Sequence, residues 1–123
     1  MLKKSPLNLS TEEVHTIDAI GLGQSKMKDV SAKLGITFGS LTSMMDKLVE
    51  KGYVERKRSD KDRRVVFARL TLRGRLVYRE HRRLNTLFAK KLLGMLDSGE
   101  REAVFSAMRK IRAMELDFIR WRI

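Results

Sequence analysis

A chain of 123 residues is enough for one compact domain with an extension, and an apolar content of 42% is enough for a core. Lys and Arg outnumber Asp and Glu by 27 to 15, a formal charge of +12, which points to a polyanionic partner, nucleic acid first and an anionic membrane surface second. The lack of cysteine excludes disulfides, thiol nucleophiles and cysteine-built zinc fingers; no apolar run reaches membrane-spanning length, and the start MLKKSPLNLS has no signal-peptide core, so the expected location is the cytoplasm.

LSTEEVHTIDAIG, from Leu9, predicts a short helix. Ser10 caps it, Glu13 three residues on completes a capping box, and Leu9 can staple onto Val14. Val14 and Ile17 share a face, and Gly21 and Gly23 stop the helix. His15 has Glu12 and Asp18 three residues to either side. A metal site needs three or four ligands, and no Cys or second His lies near in sequence. The expectation is therefore a structural or solvated histidine, with no metal and no cofactor.

KMKDVSAKLG predicts a second short helix that buries Val30 and Leu34 and stops at Gly35. ITFGSLTSMMDKLVEKG predicts a third, capped by Thr37 and closed by Gly52, with Leu41, Met45 and Leu48 as its inner stripe. Two short helices joined by a glycine-containing turn form a helix-turn-helix. The outer face of the third carries Gly39, Ser40, Thr42, Ser43, Asp46 and Lys47. Thr37, Gly39, Ser40, Thr42, Ser43 and Lys47 are the candidates for the major groove, which accepts one α-helix and is read by residues near its N-terminus.

Tyr53 to Lys57 and Val65 to Leu70 read as two strands, with Val66, Ala68 and Leu70 pointing one way. Between Glu55 and Arg64 every residue but Ser59 is charged. A thin hairpin carries such a tip beyond the globule, to a minor groove whose negative potential draws arginine. Arg63 and Arg64 lie on the descending side. Asp62 would hold an arginine by a charge-assisted bond, and Arg56, Lys57, Arg58 and Lys61 would run along phosphates. The bland alternative is a charged turn that keeps an edge strand soluble.

From Thr71 the period changes. TLRGRLVYREHRRLNTLFAKKLLGML predicts a long helix anchored by Leu76, Leu84, Leu87, Leu92 and Met95. Asp97 and Glu100 form another capping box, opening a last helix in which Val104, Ala107, Ile111, Met114, Phe118 and Trp121 make a heptad-like seam. Leu84, Leu87, Val104, Ile111, Met114, Phe118 and Trp121 are therefore the candidate dimerisation residues. The expected fold is mainly α with a small β-hairpin wing: a winged helix-turn-helix over residues 10–71, then long dimerisation helices over 72–123, to which residues 1–9 can contribute.

LVEKGYVERKRSDKDRRVVFARLTLRG resembles the signature of the MarR family of bacterial winged-helix regulators. The match lies in the helix end KLVEKGYVER, the Asp62-x-Arg64 spacing, and Leu70, Thr71 and Gly74. The resemblance implies a homodimeric repressor on a pseudo-palindromic operator, with Arg64 in the minor groove and Asp62 positioning it. The blocks EVHTIDAIG and LTLRGRLVYREHRRL are most similar to the repressors of fatty-acid synthesis genes. That subgroup implies an effector such as an acidic acyl-carrier protein or a small lipophilic ligand. Family members usually carry a further helix before the segment equivalent to Ser10–Ile20, and nine residues precede Ser10 here. The C-terminal helices are then expected to carry more of the association. No nucleotide-binding glycine loop, catalytic triad or metal cluster is legible, so no enzyme is expected. Nonspecific architectural DNA binding is the alternative function; RNA binding lacks its stacking aromatics.

Overall fold

The computed structural model describes residues 8–122, with side chains described as far as Leu116. Residues 1–7, and the Phe118 and Trp121 side chains expected in the seam, lie outside the described residues. The elements are α1 (Thr11–Ile20), β1 (Ser25–Lys26), α2 (Met27–Leu34), α3 (Phe38–Glu50), β2 (Val54–Arg58), β3 (Val66–Leu70), α4 (Leu72–Gly94) and α5 (Ser98–Arg122). They form two compact units, Met1–Leu84 and Asn85–Ile123.

The helix ends follow the local chemistry of the chain. A helix leaves its first N–H groups without partners. At α1 the Ser10 hydroxyl accepts from Glu13 N at 3.1 Å, and the Glu13 carboxylate accepts from Ser10 N at 2.8 Å. Asp97 and Glu100 repeat the exchange at α5, at 2.8 and 3.0 Å. Thr37 caps α3 by accepting from Ser40 N. The second helix has no side-chain cap and closes on Gly35 in the left-handed conformation.

The core of the first unit follows from spacing. Leu41, Met45 and Leu48 of α3 are fully buried. They pack with Ile17 of α1, Val30 of α2, and Tyr53 and Ala68 beside and within the sheet. Each of the Leu, Ile, Val and Met side chains among them contributes about 1.5–3 kcal/mol on burial. Leu34 is only partly buried, because α2 ends there and its last turn reaches the rim of the core.

The sheet is antiparallel in the order β1-β3-β2. Val54 pairs with Leu70 and Arg58 with Val66. The sequence pattern foresees two strands; the third, β1, pairs Ser25 with Ala68 on the far edge of β3. Two residues are too few to show an alternating pattern.

The fourth helix differs from expectation. Leu76, expected as an anchor, is 57% exposed, while Gly74 and Val77 face inward. The reason is a backbone contact. A Cβ on Gly74 would lie 2.1 Å from the Tyr53 carbonyl oxygen, so only glycine lets α4 approach this closely, and that approach fixes which face turns in. Leu84, Leu87, Leu92 and Met95 are also exposed. No described side chain of α5 is buried.

Lys51, at the C-terminal end of α3, binds back to the start of the fold. Its ammonium donates to both Glu13 carboxylate oxygens at 2.9 Å and to the Asn8 carbonyl at 3.0 Å. Burial pushes the Glu13 carboxyl up, but the Ser10 N–H and Lys51 outweigh it, and the net shift is below the ordinary range. A carboxyl lowered in the folded state stabilises the fold above its unfolded value and ceases to as pH falls through the lowered one. Glu13→Gln should therefore cost about 1–3 kcal/mol at neutral pH. In urea titrations the gap to wild type should close as pH falls below 4.5. Gly74→Ala should cost about 1–3 kcal/mol or more by the same measurement, since backbone has to move.

Candidate nucleic-acid interface

The outer face of α3 is small, polar and open. Thr37, Gly39, Ser40, Ser43 and Lys47 are exposed and Thr42 is half-buried. A Cβ added at Gly39 would meet nothing within 4 Å, so another molecule can approach the backbone there. Thr37 donates to the Ser40 hydroxyl at 2.9 Å and Thr42 donates to the Phe38 carbonyl at 3.0 Å. The Thr42 proton is thus used within the helix and one proton is shared by the Thr37–Ser40 hydroxyl pair, which leaves that pair one proton for an outside acceptor.

The wing tip is a structured turn. The Ser59 hydroxyl accepts from Lys61 N and Asp62 N, both at 3.2 Å, and Ser59 N donates to the Val65 carbonyl at 2.8 Å. Asp62 accepts from the Arg64 backbone N–H at 3.0 Å, from Nε at 3.1 Å and from Nη2 at 3.2 Å. The Arg64 side-chain bonds, then its backbone N–H, hold the Asp62 carboxyl below the ordinary carboxylate range against a slight opposing effect of burial. The Arg64 side chain is nonetheless 91% exposed. It is fixed in direction while remaining open to an outside partner.

The other basic residues of the wing divide into two groups. Arg56 lies 2.7 Å from Asp46 of α3, a tie between helix and wing that the sequence reading did not foresee when it set Arg56 along phosphates. Arg58 donates to the Arg63 carbonyl. The side chains of Lys57, Lys61 and Arg63 are exposed and make no ion pair among the described residues.

Helix and wing face a common space. A groove of about 390 Å³ is lined by Met27, Phe38, Thr42, Arg56, Arg58 and Val66. An adjoining one shares Met27, Phe38 and Val66 and adds Lys26, Lys28, Arg64 and Val65. The tip arginine and the N-terminus of α3 therefore border the same concavity. Phe38, Lys26 and Lys28 were not singled out from the sequence. By spacing, Phe38 continues the Leu41–Met45 stripe and would be assigned to the core; at the first residue of α3 it overhangs the core edge and is 53% exposed. The signal for the lysines was the Lys-Met-Lys run, in which one buried methionine anchors two outward cations.

The remaining candidates lie elsewhere. The His15 and His81 rings meet edge to face at 6.3 Å, and Asp18 lies 3.2 Å from Arg82. Among the described residues no group of three His, Asp or Glu could hold a metal ion. No helix among them is long and apolar enough to cross a membrane. Leu84, Leu87, Ile111 and Met114 are exposed and Val104 is half-buried. Phe105, Met108 and Ile111 line an open furrow along α5.

Comparisons with known proteins agree with this fold. A family model described as transcriptional regulator SarA/Rot matches residues 2–81. The chain is similar to the uncharacterised HTH-type transcriptional regulator YfiV of Bacillus subtilis, with 31% identity over 94 residues, 76% of this chain and 59% of that protein. It is 25% identical to the HTH-type transcriptional regulator BilQ of Clostridium symbiosum over 68% of this chain and 58% of that one. The chain thus spans just under three fifths of the length of these relatives. Among solved structures, Streptococcus pneumoniae FabT in complex with DNA superposes with a TM-score of 0.85 at 34% identity, covering 90% of this chain and 78% of that one. Reduced MarR from E. coli superposes with a TM-score of 0.71 at 25% identity, over 86% and 79%.

The wing pair can be checked directly. In a ¹³C NMR titration the Asp62 carboxyl should titrate below the ordinary aspartate value of about 3.9. It should move up towards that value in Arg64→Ala.

Proposed function

The chain belongs to the MarR family of winged-helix transcriptional regulators, and from that premise we propose that this DNA-binding regulator acts as a homodimeric repressor on a pseudo-palindromic operator. The observation that carries the reading is the concavity bordered by both Arg64 and the α3 N-terminus. A duplex seated there meets small hydroxyl-bearing residues and a preset guanidinium together.

In this reading residues 10–71 form the DNA-binding region. Thr37, Gly39, Ser40, Thr42, Ser43 and Lys47 enter the major groove. Arg64, held by Asp62, takes the adjacent minor groove, and Lys57, Lys61 and Arg63 lie along phosphates with Arg58. Arg56 acts through Asp46 instead, holding the wing against the helix. Residues 72–123 join two copies through Leu84, Leu87, Val104, Ile111 and Met114. Exposed apolar side chains along α4 and α5 support that role, since a lone chain gains nothing by wetting them. Two recognition helices are then presented about 34–36 Å apart, one DNA turn. An acidic acyl-carrier protein or a small lipophilic ligand would alter that separation; the net charge of +12 suits the acidic partner.

Binding to DNA from the protein's own upstream region should survive competition by random duplex at moderate salt, with a preference of about a thousandfold or more. A preference near unity would leave architectural binding in its place. Arg64→Ala should weaken specific binding by about 1–3 kcal/mol, and Asp62→Ala should do so through lost positioning. Titrations matching wild type for both variants would overturn the wing assignment. Sedimentation should show a dimer at micromolar concentration; a monomer with full DNA affinity would overturn the seam.

A further inference from the structure

The C-terminal end of α3 is closed by the start of α4. The last carbonyls of a helix lack partners within it. Here the Lys51 carbonyl accepts from Arg73 Nη1 at 2.9 Å, and the Gly52 carbonyl accepts from the Thr71 hydroxyl at 2.7 Å. The Tyr53 carbonyl accepts from Thr71 N at 3.0 Å. Three consecutive acceptors are therefore met by two residues of one short segment. Thr71 also caps α4, accepting from Gly74 N at 3.2 Å.

Arg73 adds what Thr71 cannot. Its guanidinium lies 4.5 Å from the Tyr53 ring centroid and donates from Nη2 to the Tyr53 hydroxyl at 3.1 Å. One planar fork thus touches the backbone at the end of α3 and the side chain that opens the wing. Gly52 has φ +84, and a Cβ there would press on Arg73 Nη1 at 3.2 Å. Arg73 is an exposed residue, so its contacts add little to the core. Their geometric effect is to resist rotation of α3 against the first turn of α4.

We propose that Arg73 is a positioning residue that fixes the angle between the recognition helix α3 and the start of α4. It thereby sets the spacing at which two copies present their recognition helices to a duplex. The spacing clause rests on the homodimer reading above. The angle clause concerns one chain alone. Lysine at position 73 would keep the charge but lose the fork that reaches two acceptors while lying over the ring. Tyr53→Phe removes the hydroxyl that accepts from Arg73 Nη2 and keeps the ring beneath the guanidinium.

Two measurements on the full chain test this. In the first, nitroxide labels at Glu50→Cys and Arg79→Cys report the α3–α4 distance by pulsed electron resonance, with labelled chain diluted into unlabelled chain. The chain has no native cysteine, so labelling is specific. The wild-type background should give a narrow distribution, Arg73→Ala and Arg73→Lys broad ones, and Tyr53→Phe an intermediate one. An unchanged width in Arg73→Ala overturns the proposal.

In the second, duplexes carry half-sites enriched from a random pool by the wild-type chain, at the enriched spacing, with one base pair added or removed, or as a single half-site. Arg73→Ala should lose roughly tenfold on the enriched spacing, the scale of one charge-assisted hydrogen bond, and little on the single half-site. An equal loss on all duplexes marks general damage and overturns the proposal. If the wild-type chain ignores spacing, the dimer reading fails and the spacing clause with it, while the label widths still decide the angle clause.

Discussion

No methyl group fits between the Tyr53 carbonyl and the backbone of α4 at Gly74. This closeness lets Thr71 satisfy the carbonyls of Gly52 and Tyr53. It also turns Val77 rather than Leu76 towards the core. The third helix, the wing and the long helix all meet at this one junction. Wherever α4 points, α3 and the wing are held in fixed relation to its first turn.

A second constraint works at the other side of α3. Lys51 joins Asn8, Glu13 and the end of α3 through a single ammonium, while its backbone carbonyl serves Arg73. Position 51 is thus held by its side chain towards α1 and by its main chain towards α4. Such a helix is fixed at its far end while its N-terminal turn stays open to a partner. That division suits a reader of base edges, where phosphate contacts orient the protein and the leading residues of the helix discriminate.

Much of this was legible in the sequence because it depends on neighbours in the chain. Ser10 with Glu13, and Asp97 with Glu100, announce their helices by a three-residue spacing that the backbone turns into hydrogen bonds. Leu41, Met45 and Leu48 announce a buried face. Asp62 and Arg64, two residues apart, could be matched as a pair and are found bonded. What stayed hidden depends on residues far apart. Asp46 meets Arg56 only once a helix and a strand have folded together. Phe38 has core spacing and lies beyond the core edge. β1 exists because the edge of β3 accepts it. Leu76 has the right chemistry for an anchor and the wrong azimuth, which a glycine two residues earlier decides.

The asymmetry of the sheet has a consequence for the protein's solubility. On one side β3 is covered by β1; the outer rim is β2, whose main-chain groups on that side are not used by the sheet. Unpaired rims invite strand addition by another chain and, from there, fibrous aggregates. After Val54 every residue of β2 is charged and exposed. A second copy trying to add its own rim would bring three cations, Arg56, Lys57 and Arg58, up to the same three, with Glu55 alone to offset them. The cations that make the wing suitable for a polyanion thus also act as gatekeepers, keeping crowded copies of the protein from zipping together.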